Sequence, residues 1–177
     1  NVDKAGHFIG GLIVGDVFKE YFLFLGNNDK KSAWYGALLG STVQLGIEIK
    51  DAYAPHWGFS TWDLIVGSTG SFFLVAEEYI KDLKAIDFKI SYWRHSNHDW
   101  NLEKEKALLK GSSPPRYSWY NDYTNQTYWM SIDINHFFNI EYWPDFLNIA
   151  FGFGLDNMQY LNSGQKTGGN NELYISL

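Results

Sequence analysis

The sequence predicts an α+β chain: a bundle of three glycine-striped helices over residues 1–82, then an antiparallel meander of four or more strands over residues 83–177. Three observations carry this reading. Small residues recur at helical spacing in the first half, the apolar period changes to two from about residue 85, and clusters of turn-forming residues separate the segments.

The first helix is expected over residues 3–25, where Asp3, His7, Gly11 and Gly15 recur every four positions and share one face. The second, over residues 32–52, runs the same pattern in reverse through Gly36, Gly40, Gln44 and Glu48, with Asp51 a turn further on. The third, over residues 60–81, opens with Asp63 and continues through Gly67, Gly70 and Ser71. Small residues at this spacing let helix backbones approach closely, as they do where apolar burial alone cannot drive association. Ser60 with Asp63 three residues on has the form of a capping box, so Asp63 also reads as a cap. Turns are expected at Gly26-Asn27-Asn28-Asp29 and between Pro55 and Gly58, and such short connections make neighbouring helices antiparallel.

An up-down-up bundle of this kind gathers the ionisable ends of all three helices at one pole. Asp3, Lys4, His7, Gln44, Glu48, Asp51 and Asp63 form the expected polar cluster, with His56 nearby. Three readings stay open for it. Lys4 neutralises the carboxylates in an ion network that locks helix register; His7, Glu48, Asp51 and Asp63 hold a divalent metal such as Zn²⁺, Mn²⁺ or Ca²⁺; or His7 acts as general base with Glu48 orienting it. The spacing contains no HExxH motif and no fixed ligand triplet, and no catalytic or cofactor-binding residue is assigned outright.

Strands are expected where Ile86, Phe88, Ile90 and Tyr92 alternate with polar residues, again at Tyr128, Met130, Ile132 and Ile134, then at Leu147, Ile149, Phe151 and Phe153, and last at Leu173, Ile175 and Leu177. The apolar faces either pack on the helices or, in an outer-membrane barrel, meet lipid. Four strands do not close a barrel, so that solution requires more strands, and the run still open at Leu177 fits a continuation. A long insert at residues 94–126 carries His95, His98 and a charged helix near residues 101–110. Glu77 and Glu78 read as solvated, and His136 as a strand-rim residue.

At 177 residues, 45% hydrophobic and 19% charged, the chain is long enough for one real core, and 19% aromatic content is high for a soluble domain. A net charge of −6 without a basic stripe argues against nucleic acid. The absence of Cys excludes disulfides and thiolate metal sites. No signal-peptide pattern opens the numbered chain at Asn1, as expected of a processed or a cytosolic protein. The uncharged runs at residues 33–47 and 64–76 fall short of the roughly 20 apolar residues of a membrane span, and Asp16, Lys19 and Glu20 interrupt the first helix.

The segments Asp3-Lys4-Ala5-Gly6-His7-Phe8, Glu48-Ile49-Lys50-Asp51 and His56-Trp57-Gly58-Phe59-Ser60-Thr61-Trp62-Asp63 resemble the YfiM-like predicted periplasmic lipoproteins of bacteria. Residues 128–135 and 143–154 are similar to longer members of that family, so the likeness covers most of the chain. The helical part is more distantly similar to VanZ-like membrane proteins. The resemblance implies a Gram-negative cell-envelope protein at the outer membrane or its periplasmic face, with envelope proteins and membrane lipid as partners. It implies no reaction, and the lipoprotein Cys is missing from this sequence. The expected function is a non-enzymatic structural or accessory subunit docking onto a larger complex. The alternatives are an envelope enzyme acting on lipid or peptidoglycan through Asp3, His7, Glu48 and Asp51, and a soluble periplasmic binder using the sheet.

Overall fold

A computed structural model describes residues 2–54, 57–114, 116–144 and 146–177. Its order is α1 (Val2–Phe24), α2 (Asp29–Ala52), α3 (Thr61–Tyr79), β1 (Ile86–Tyr92), α4 (His98–Leu109), β2 (Gln126–Ile132), α5 (Ile134–Phe138), β3 (Ile149–Leu155), β4 (Gln159–Asn162), β5 (Gln165–Gly168) and β6 (Asn171–Ser176). The protein is α+β, a three-helix part followed by an antiparallel four-stranded sheet of order β1-β2-β3-β6.

Local chemistry sets the helix ends. Gly26 adopts φ 86°, and its amide and that of Asn27 bond back to Leu23 and Phe22, the double bond that closes a helix at a left-handed residue. Asn28 then caps α2 by accepting from the Lys31 amide at 3.0 Å. Between the helices, backbones touch. A Cβ on Gly11 would fall on the Gly67 carbonyl, and one on Gly36 would sit 2.5 Å from the Gly15 carbonyl oxygen. The Ser71 hydroxyl donates to the Gly11 carbonyl at 2.8 Å across the same seam.

This packing fills the helix seams largely with small residues, beside buried Ile9, Leu74 and Val75, and leaves many large apolar side chains outside. Ala33, Ala37, Ser32 and Ser71 are fully buried, while Ile13, Val17, Tyr21 and Phe24 form an exposed stripe along α1 and Leu38 and Trp62 stand exposed on α2 and α3. Among the described residues no helix is long and apolar enough to cross a membrane.

In the sheet, one face carries Phe88, Met130, Phe151 and Ile175 in register across the four strands. Over β1 and β2 this face covers the helices, where Tyr128 packs with Val2 and Ile9 and is joined by Phe8, Phe88 and Ile90. Towards β6 it runs past them, leaving Ile175 76% exposed. The apolar strand face is thus covered over β1 and β2 and exposed towards β6.

Three expectations are corrected. Ile134 does not extend the second strand, because the Asp133 carboxylate accepts the Asn135 and His136 amides at 2.9 and 3.2 Å and starts α5. Leu147 precedes β3 in a turn bonded to the Pro144 carbonyl. Glu78 is not solvated, since Lys19 at 2.9 Å and Lys84 at 3.1 Å pair with a side chain only 7% exposed. The hairpin β4–β5 was not expected. Its turn residues Ser163 and Gly164 both have positive φ, 51° and 76°, which suits a two-residue hairpin loop.

Candidate functional site

The polar ends of α1, α2 and α3 meet at one pole. His7 lies between two carboxylates, with Nδ1 3.8 Å from Glu48 Oε1 and Nε2 3.9 Å from Asp3 Oδ1. Gln44, buried on α2, places its Oε1 3.5 Å from His7 Nδ1. The Gln44 side chain has room because Gly67 faces it, where a Cβ would come within 2.7 Å. Lys4 joins Asp63 in a close ion pair and reaches Asp3 Oδ2 at 3.2 Å.

The cap of α3 explains this distribution. Ser60 Oγ accepts the Asp63 amide at 3.3 Å, but the reciprocal half of the expected box is absent. The Ser60 amide donates to Glu48 Oε2 at 2.8 Å, which leaves the Asp63 carboxylate to Lys4. A motif that reads as local therefore ties all three helices together.

Electrostatics divides the carboxylates. Burial alone would push Asp63 up, but the Lys4 ammonium and the Ser60 hydroxyl hold it below the usual Asp value. Burial likewise opposes the charge on Lys4, yet Asp63 and Asp3 raise it. Glu48 and Asp51 are pushed up by burial, against the Ser60 amide on Glu48 and the Lys50 charge beside Asp51. Neither Glu48 nor Asp51 has a Lys or Arg within salt-bridge distance among the described residues.

A cleft of about 1180 Å³ opens over this pole. Its opposite wall comes from regions not associated with the site in sequence: Trp119, Tyr120 and Tyr123 of the insert, Lys106 on α4, and Lys166 on β5. Tyr123 donates to Asp3 Oδ1 at 2.7 Å and joins the walls. Lys166, its position secured by Asp99 at 2.8 Å and Glu103 at 2.6 Å, pins the β4–β5 hairpin to α4. Lys106 stands 4.0 Å from Glu103. No spacing in the sequence marks Lys166 or Asp99. Tyr123 offered only its place in an aromatic stretch.

Asp3, His7 and Asp63 bring three ligand atoms within 4.8 Å of one another, the one such group among the described residues. It overlaps the expected metal set at His7 and Asp63, with Asp3 in place of Glu48 and Asp51. Lys4 bonds to both carboxylates of this group, so its ammonium supplies the positive charge a metal would bring. His56 lies outside the described residues. His98 Nε2 bonds the Gln159 carbonyl at 2.7 Å, His95 Nδ1 lies 3.1 Å from the Trp93 carbonyl, and His136 pairs with Asp82 at 3.1 Å, all away from the pole.

These features define a class: an α+β protein whose small-residue bundle and antiparallel sheet share one polar cleft. Compared with protein-family models, curated proteins and solved structures, the chain finds no match.

Proposed function

We propose that this chain is a non-enzymatic accessory protein of the Gram-negative cell envelope, seated on outer-membrane lipid and docking there onto larger machinery. One observation carries the reading: small residues line much of the helix seams while many large apolar side chains of the bundle stand exposed. Exposed apolar surface this continuous marks a contact with lipid or protein. Lipid is favoured by the aromatic ends. Trp34, Tyr35 and Tyr79 lie at one end of the bundle and Tyr53, Trp57 and Trp62 at the other, flanking aliphatic Val17, Leu38 and Ile65 in the manner of interfacial belts. Asp16 and Glu20, exposed on α1, suit seating at a membrane face rather than immersion. The resemblance in residues 3–8, 48–51 and 56–63 points to the same compartment.

Flotation of the purified chain with phospholipid vesicles tests this. The protein should rise with the vesicles, and Val17→Lys with Leu38→Lys should keep it at the bottom of the gradient. A wild-type chain that stays monomeric and unfloated in detergent-free buffer would refute the reading.

A second reading rests on His7, held between Asp3 and Glu48 at the wall of the cleft. That arrangement suits a general base whose imidazolium a carboxylate stabilises, as an envelope hydrolase would need. Turnover of an envelope lipid or peptidoglycan fragment that vanishes in a folded His7→Ala variant would favour it.

A further inference from the structure

Among the described residues, two buried carboxylates of the insert, Glu103 and Asp122, each keep one oxygen without a hydrogen-bond partner. Glu103 on α4 is 5% exposed; its Oε1 meets Lys166 at 2.6 Å and Lys106 at 4.0 Å, and Oε2 is left over. Asp122 is 3% exposed and gathers the Tyr92 hydroxyl, the Tyr117 hydroxyl and the Asn125 amide on Oδ2, at 3.0, 2.9 and 2.8 Å. All three donors are neutral, and Oδ1 is left over. A buried carboxylate is costly unless its charge is answered, and donors crowded onto one oxygen do not serve the other.

The two side chains share a cavity. Glu103 and Asp122 both line a space of about 10 Å³, distinct from the large cleft, between α4 and residues 116–122. Such a volume takes one small centre and excludes a fully hydrated ion. Ser118 and Asn121 carry neutral oxygens in the same lining, which among the described residues contains no His. Oxygen donors alone, two of them anionic, suit a hard cation. Mg²⁺ holds on to several of its waters, for which there is no room, whereas Ca²⁺ accepts irregular oxygen cages. Arg116 stands exposed at the rim and bonds to neither leftover oxygen, so the guanidinium of the same lining does not answer them.

We propose that this cavity is a Ca²⁺ site, with Glu103 Oε2 and Asp122 Oδ1 as its anionic ligands and Ser118 and Asn121 as neutral ones. Water entering past Arg116 completes the coordination. The site stands independently of the lipid-seated reading. An ion here joins α4 to the segment that leads into Tyr123, whose hydroxyl holds Asp3 at 2.7 Å. Calcium therefore braces the wall of the cleft without entering the cleft.

Thermal unfolding of the full chain with added Ca²⁺, added Mg²⁺ or a chelator tests this. Ca²⁺ should raise the Tm of wild type above its value in chelator, and Mg²⁺ should raise it less. Because Trp100 lines the cavity, Tb³⁺ in place of Ca²⁺ should luminesce when tryptophan is excited, and Ca²⁺ should compete that emission away. Asp122→Asn puts an amide where the leftover oxygen stands and keeps an acceptor for the three existing bonds. It should weaken Ca²⁺ at least about tenfold, since the charge of the ligands sets Ca²⁺ affinity over several decades. Glu103→Gln reads the other ligand if D122N misfolds. Trp100→Phe should lower the Tb³⁺ emission yet keep the Ca²⁺ shift in Tm, which locates the ion. A wild-type Tm indifferent to Ca²⁺ would mean that the cavity holds water alone and would overturn the site. Equal shifts with Ca²⁺ and Mg²⁺, unchanged affinity in folded D122N or E103Q, or undiminished emission in W100F would overturn it as well.

Discussion

Two charged clusters face each other across the cleft and differ in balance. On the insert side, Asp99 and Glu103 meet Lys166 and Lys106, two anions with two cations, and Asp99 is fully buried. On the bundle side, among the described residues, Asp3, Glu48, Asp51 and Asp63 meet Lys4 and His7, and two of the carboxylates are bonded to the ammonium. A neutralised, buried cluster fixes one element against another. The Lys4 ammonium of α1 on Asp63 of α3, with the Ser60 amide on Glu48 of α2, instead ties three helix ends together. The first cluster accounts for where the β4–β5 hairpin sits, and the second for how the helix ends converge.

The largest expected effect tests the first cluster. Lys166→Met leaves Asp99 and Glu103 buried with only Lys106 nearby, and removing one partner of such a buried pair costs about 3–5 kcal/mol. Urea unfolding should register that loss, and amide exchange should quicken first in residues 159–168. If stability changes by less than about 1 kcal/mol, the pairing is solvated and worth no more than a surface bridge.

Next in size is Lys4→Met, which removes the cation that answers Asp3 and Asp63. These groups are partly exposed, so the loss should be smaller, about 1–3 kcal/mol. It also frees the three ligand atoms of Asp3, His7 and Asp63. Added Zn²⁺ should therefore raise the Tm of the variant, by the usual linkage of binding to stability, and leave wild type unmoved. Equal Zn²⁺ stabilisation of both proteins would show that Lys4 does not occupy the place of a metal.

The two clusters also differ in how far the sequence revealed them. Periodicity of four along single helices placed Asp3, His7, Gln44 and Glu48 on facing sides, because backbone geometry alone determines where those side chains point. The existence of the four sheet strands was legible for the same reason, their alternation being local. Lys166 and Tyr123 reach the cleft through a hairpin and a long insert whose path is set by tertiary contacts, and no period encodes that. Asp133 shows the opposite failure. The alternation does run on to Ile134, but a capping carboxylate at the strand end overrides it. Ser163-Gly164 was a readable turn signal for β4–β5, though its flanks are too short and polar to stand out as strands.

Tyr123→Phe tests the side-chain hydrogen bond between the walls with little change in shape. The phenol donates to Asp3 Oδ1 at 2.7 Å, and its loss should cost about 0.5–1.5 kcal/mol. A double-mutant cycle with Asp3→Asn should recover most of that as coupling. Purely additive effects would mean that the walls are held together by the Lys166 pairing alone.

The smallest effect is one of pH, and its sign separates carboxylates within the bundle cluster. Asp63 is held below its usual 3.8, so its stabilisation is present above that value and is lost as pH falls through the lower folded-state pKa. Glu48 is pushed by burial above its usual 4.5, so its charge is a penalty at neutral pH, relieved as pH falls through the raised folded-state pKa. Asp51 behaves like Glu48; His7, Asp63 and Asp51 face Glu48, and Lys50, His7, Asp3 and Asp63 face Asp51. On acidification from neutrality this cluster should first add stability, above about 4.5, and then withdraw it below 3.8. Glu48→Gln should weaken the first limb and spare the second.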